Sequence, residues 1–218
     1  MQTAIVLAPR SAAYSRKGFQ EHYEDYHAPL FYSFARIAIG RYLRNHILRA
    51  IGDDPPFDTI SEFGNYPEKR AELRAVLASP EAKALEDDVK SFLAERGNVF
   101  EIAERPIAGP PRGFEAGPVA KRMVLLKKSA DQSAEAFASA AGNYAREIAR
   151  GLGLSAARVT LTVWKTDPIP PMDAMVTIWP ADGVGLPDAF PPDAACASRG
   201  IEIRYAVDVE SYCTAWCD

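Results

Sequence analysis

The sequence predicts an α+β fold in which two tandem β-α-β-β-α-β units close into one α/β barrel within a single chain. Three observations carry this expectation. The stretch RPIAGPPRGFEAGP, residues 105 to 118, breaks the chain with proline and glycine at a density that interrupts helix and sheet alike. The segments on either side match after a shift of 118 residues. Strands such as TAIVLA and VTLTVW are apolar on both faces, so each sheet needs cover on both sides.

The elements follow in order. TAIVLAPRSA (3 to 12) reads as a strand and leads into a helical stretch from about Arg16 to Phe34. RYLRNHILRA (41 to 50) and FDTISEFGN (57 to 65) are strands separated by the turn GDDPP. Helical material follows from Pro67 to Leu93, restarting at Ser79-Pro80. GNVFEIAERPI (97 to 107) closes the unit. Beyond the linker, KRMVLLKKSA (121 to 130) is the matching strand and Gln132 to Arg150 the matching helix. Val6, Leu7 and Ser11 meet Val124, Leu125 and Ser129, while Phe19, Tyr26 and Leu30 meet Phe137, Tyr144 and Ile148, with no gap. ARVTLTVWK (157 to 165), MDAMVTIW (172 to 179) and IEIRYAVDV (201 to 209) complete the second set, with a short helix expected before the last strand. Each half is a ferredoxin-like unit. The expected division is residues 1–105, a linker over 106–118, and a second, degenerate unit over 119–218.

A net charge of -4 and a pI near 5.5 argue against a nucleic-acid surface. No apolar run reaches the length of a membrane span, and MQTAIVLAPR lacks the basic start of a signal peptide. A cytoplasmic protein is expected. Cys196, Cys213 and Cys217 are too few and too oddly spaced for a disulfide framework or a zinc knuckle, and read as reduced thiols. GLGLSAAR (151 to 158) follows a helix, so it reads as a helix stop and not as a phosphate loop.

The chemistry concentrates in HYEDYHAP, residues 22 to 29. On a regular helix His22, Tyr23, Tyr26 and His27 join Phe19 and Leu30 on a stripe roughly 140° wide, with Glu24 and Asp25 outside it. The matching stripe of the second half carries alanine where the first has His22, Tyr23 and His27. On the second strand, alternation puts Tyr42, Arg44 and His46 on one face and Leu43, Asn45 and Ile47 on the other. Its counterpart is threonine and aliphatic. One copy of the unit is thus equipped with imidazole and phenol groups that cost stability when buried unless paired. Each also has a plain structural reading: a buried ring with a wet hydroxyl for Tyr23, a half-exposed edge for His22, a helix-terminal hydrogen bond for His27, a cross-strand partner for His46. Asp58 and Asp173, both at strand starts, suit turn capping, whereas Glu62 faces Thr177 at the matching position. His22 and His27 point roughly 140° apart on a regular helix, which disfavours a shared metal.

HYEDYHAPL, RYLRNHIL and FDTISEFG, with His27, Pro29, Leu30, Arg41, Tyr42, Asn45, His46, Phe57, Asp58 and Glu62, resemble the EthD family of dimeric α/β-barrel proteins over roughly residues 3 to 105. Relatives are associated with ether degradation and aromatic polyketide tailoring. The wider superfamily holds cofactor-independent monooxygenases, cyclases, isomerases, decarboxylases and haem-degrading enzymes, and fold does not choose among them. The resemblance implies a small-molecule enzyme, an oxidoreductase first and a lyase or isomerase second, or else a barrel that only binds a hydrophobic ligand. The expected catalytic residues are His27 or His46 as general base with Tyr26 and Tyr42 as hydrogen-bond donors. His22, Tyr23, Asn45 and Glu62 are expected to contact substrate between sheet and helices. No metal or cofactor is expected, with haem left open, and a homodimer through the sheet edges is possible on this reading.

Overall fold

In a computed structural model the described residues are 1–110, 117–152, 158–165, 171–181, 185 and 200–216, without the side chains of 215 and 216. Cys196, Cys217, most of GLGLSAAR and the expected short helix before the last strand lie outside them. The first unit runs β1 (Gln2–Ala8), α1 (Arg16–His22), a π turn (Tyr23–His27), α2 (Ala28–Ala35), β2 (Ile39–Ile51), β3 (Thr59–Asn65), α3 (Arg70–Leu77), α4 (Lys83–Phe92) and β4 (Val99–Ala108). The second runs β5 (Val119–Lys128), α5 (Ala134–Gly151), β6 (Arg158–Trp164), β7 (Ala174–Trp179) and β8 (Ile201–Trp216). The restart expected at Ser79-Pro80 is present as a short 3-10 turn, Pro80–Ala82, leading into α4.

The eight strands form a closed antiparallel barrel in the order β1-β3-β2-β8-β5-β7-β6-β4. Within each unit the order is that of a ferredoxin-like sheet, and the units join where β2 pairs with β8 and β4 with β6. Among the described strands closure leaves no free sheet edge. Matched serines begin the first helix of each unit: Ser15 Oγ accepts from the Gly18 amide and Ser133 Oγ from the Ala136 amide. Asp58 and Asp173 also act alike, accepting the backbone amides of Arg10 and Lys128.

Alternation sorts the side chains into three layers. Inside the barrel, Ile5, Ile47, Ile60, Ile102, Met123, Met175, Val207 and Val209 form the central cluster. Outside it, α5 covers the second unit with Phe137, Ala141, Tyr144, Ala145 and Ile148. The first unit is covered by α1, α2 and α4 around Phe19, Tyr23, Tyr42 and Phe92.

The first helix is not regular. Ala28 N–H bonds to Tyr23 O, five residues back, so one turn carries an extra residue. Pro29 supplies a reason: it has no N–H to give the Asp25 carbonyl, and its ring would press on that carbonyl in a regular helix. The wider turn lets the helix continue through α2 instead of stopping. The buried positions beyond it are His27 and Ala28, eight and nine residues after Phe19, whereas α5 buries Tyr144 and Ala145, seven and eight after Phe137. The one-for-one match of the two halves therefore slips by one residue at this turn. His27 occupies the place of Tyr144, not of Ala145.

Phe92, fully buried at the end of α4, packs its ring 4.8–5.5 Å from those of Phe19, His22, Tyr23 and His27. Phe92→Ala is expected to lower the unfolding free energy by about 3–5 kcal/mol, read by chemical denaturation.

Candidate functional site

The three histidines are held between the helices and the outer face of the first unit's sheet. Asp88 on α4 is 6% exposed and accepts from two of them: His22 Nε2 lies 2.7 Å from Oδ1 and His27 Nδ1 2.8 Å from Oδ2. The π turn makes this possible, because i→i+5 bonding brings positions five apart into line where a regular helix would splay them. Since Nδ1–H of His27 faces a carboxylate, its Nε2 is the acceptor nitrogen, and no described residue bonds to it. Burial pulls His27 below the usual imidazole range and Asp88 only partly offsets this, so the ring is neutral at pH 7.

A second network sits beside the first. Glu24 on the π turn accepts from His46 Nε2 at 2.6 Å and from Arg44 at 3.0 and 2.5 Å. Burial would raise the Glu24 carboxyl, but His46 and Arg44 outweigh it and hold the group below its ordinary range. His46 Nδ1 is 2.7 Å from Thr59 Oγ1, so both nitrogens of this ring are engaged. Arg44 also reaches Thr214 of β8 at 2.5 Å and lies over the Tyr42 ring, its carbon 4.6 Å from the centroid. The Tyr23 hydroxyl is 2.9 Å from Ser61 Oγ. The Tyr42 hydroxyl interacts with that of Tyr23 without a well-directed hydrogen bond, and burial first of all pushes it well above the ordinary phenol range, so it stays protonated. Tyr212 of β8 stands edge-on to His46 at 5.8 Å and donates to Glu210; burial and that carboxylate push it up to about 12.

Phe31 of α2 packs against the rings of both His27 and Tyr42. Its ring stacks 6.2 Å from His27 and meets Tyr42 edge-on at 5.3 Å and Phe63 at 5.6 Å. One aromatic side chain thus joins the His27 ring to the Tyr42 ring.

Residues 12–96, which contain all three histidines and Asp88, match the family model of the EthD domain. The match covers less than half of the chain. A structure from Lactobacillus acidophilus NCFM, of a protein provisionally called a monooxygenase, is 11% identical with a TM-score of 0.45, covering 97% of this chain and 93% of that one. Another from Fusobacterium nucleatum, under the same provisional description, is 8% identical with a TM-score of 0.48, covering 98% and 93%. At these identities the likeness carries no chemistry. Among curated proteins, the chloroplastic chaperone protein ClpC3 of rice is 29% identical over 123 residues, which is 56% of this chain but 13% of the chaperone's length.

The first unit gathers His22, Tyr23, His27, Tyr42 and His46 on one side of the sheet. Three expectations need correction. Tyr26 is 51% exposed, because the extra residue of the π turn rotates it outward and brings Glu24 inward instead. Asn45 and Glu62 lie on the opposite side, inside the barrel: Asn45 Nδ2 donates to Glu62 Oε1 at 3.0 Å and Arg41 to Glu62 Oε2 at 2.7 Å. They share a strand with His46 but face away from it. His22 and His27, expected to point apart, converge on Asp88.

Sequence reasoning missed Asp88, Glu24 and the bonding role of Arg44. Asp88 was legible: Leu85, Asp88 and Phe92, at spacings of three and four, are the buried face of α4, and a carboxylate on such a face needs a donor. Nor do His27 and His46 suit a haem iron as they are arranged. Both His46 nitrogens are engaged, and the rings of Tyr23, Phe31 and Phe92 close around His27.

The depressed His27 sets a pH dependence. The folded ring stays neutral where the unfolded one, with its ordinary value of about 6.5, binds a proton, so stability falls as pH drops below that value until the folded ring also protonates. His27→Gln is expected to flatten the fall in denaturation midpoint between about pH 7 and pH 5.5.

Proposed function

We propose that the chain is a small-molecule enzyme of the EthD type whose general base is His27 and whose substrate is a planar aromatic or polyketide-like molecule. The observation that supports this reading is an acceptor nitrogen, His27 Nε2, that no described residue engages. It lies in one aromatic cluster with the Tyr42 hydroxyl, which stays protonated beside that of Tyr23, and the Phe31 ring packs against both rings. A flat substrate taking the place of that ring would meet both. His27, oriented by Asp88, takes a proton from an activated carbon or phenol, and Tyr42 donates to the oxygen on which negative charge develops. Arg44, which Glu24 and Thr214 hold over the Tyr42 ring, favours that charge.

The favoured outcome is cofactor-free oxygenation. The carbanion left by an activated methylene reacts with dioxygen, one oxygen atom ends in a new carbonyl, and the other leaves with two hydrogens as water. The substrate supplies all the electrons, so no bound cofactor is required. The same base serves cyclisation, dehydration or isomerisation when oxygen does not intervene.

An oxygen electrode and product analysis with anthrone-type ketones test the reading. Wild type is expected to consume one oxygen per ketone oxidised, and His27→Ala to lose about 10²–10⁴ in kcat while the fold is kept. Phe31→Ala is expected to admit bulkier ketones, seen as a rise in their kcat/KM relative to the smallest. Product formation without oxygen uptake would move the assignment to lyase or isomerase. Full activity in His27→Ala would remove the base altogether.

A further inference from the structure

The barrel interior is a cup. Towards one end it is closed by polar groups: Arg41 bridges Glu62 and Glu104 at 2.7 and 2.9 Å, and Lys121 donates to Ser211 at 2.8 Å beneath the Trp179 ring. The middle is filled by aliphatic side chains, as expected where eight strands leave room for little else. The other end is different. There a cavity of about 410 Å³ opens between the end of β1, the approach to β3, the α4–β4 connection and the approach to β7. Its floor is Leu7, Phe57, Phe100 and Met172, each at most 9% exposed and each part of the central cluster. Its rim carries Glu95, Arg96 and Asn98.

We propose that this mouth is a second ligand site, separate from the histidine network, for a small amphipathic carboxylate. The volume lies in the range of small-molecule sites, and the mouths of β-barrels are among their preferred places. The apolar part of the ligand lies on Phe57, Phe100 and Met172. Its carboxylate meets Arg96, whose planar guanidinium suits a carboxylate and which makes no ion pair with any described residue. Asn98 adds an amide donor at the same rim. Glu95, also on the rim, opposes a second negative charge and so favours a ligand with one. None of the histidines lines the cavity, and Phe57 and Leu7 point away from them, into the barrel. The site therefore does not depend on the reaction proposed above.

The test uses the intact chain and anilinonaphthalenesulfonate, an apolar anion that fluoresces when it leaves water. Saturable binding is expected, displaced by octanoate and not by octylamine. Arg96→Gln is expected to weaken it about tenfold, Glu95→Gln to leave it equal or tighter, and Met172→Trp, which fills the floor, to weaken it at least tenfold. Arg96 is exposed, so its variant tests the site even if Met172→Trp fails to fold, which circular dichroism would reveal. His27→Ala is expected to bind the probe within about twofold of wild type, so this site and the base assignment succeed or fail apart. Binding unchanged in both Arg96→Gln and Met172→Trp overturns the site. Equal displacement by octylamine, or loss of binding in Met172→Trp alone, overturns the carboxylate.

Discussion

A single buried carboxylate organises the first unit. Asp88 comes from α4, yet its two oxygens hold imidazoles on α1 and on the π turn, so helices far apart in sequence are tied at one point. An aspartate at this depth, left without donors, would carry a desolvation cost of several kcal/mol. The two N–H groups remove most of that cost and in return fix the His27 tautomer. Phe92, one turn further along α4, fills the space beneath both rings. Structure and chemistry share one set of atoms here: the contacts that seat the helices on the sheet also leave His27 Nε2 as an acceptor.

The extra residue in the first helix is what makes the arrangement possible. Positions 22 and 27 diverge on a regular helix and converge across a π turn, and the same turn swings Glu24 toward His46 and Tyr26 toward solvent. A widened turn lacks one regular i→i+4 register over its length, and π turns of this kind occur at functional sites more often than elsewhere. The neighbouring proline gives a local cause, while the carboxylates of Asp88 and Glu24 supply the interactions that hold the result.

Much of the fold was legible because it rests on period and punctuation. The strands alternate or run apolar, Ser79-Pro80 restarts a helix, and Asp58 and Asp173 stand at equivalent turns, so topology followed from pattern. The EthD resemblance was legible from residues that are now seen to fall on both sides of one sheet. What stayed hidden was a one-residue insertion. Tyr26 and Tyr144 match chemically without a gap, so the comparison of the halves concealed the slip that sends one outward and buries the other. Asp88 was legible but easily passed over, since LEDDVKSF looks like a solvated helix until Leu85 and Phe92 are seen to share its face. Asn45 and Glu62 went astray through proximity in sequence, although period two already assigned Asn45 to the face opposite His46.

The central claim is that the π turn presents His27 to Asp88 as a neutral ring with its proton on Nδ1. Long-range proton–nitrogen NMR of the three imidazoles at neutral pH reads this directly. The account predicts, for His27, one protonated nitrogen assigned to Nδ1 and one unprotonated nitrogen assigned to Nε2, with the Nδ1 proton lost from its hydrogen-bonded position in Asp88→Ala. A doubly protonated His27, or one carrying its proton on Nε2, would contradict it.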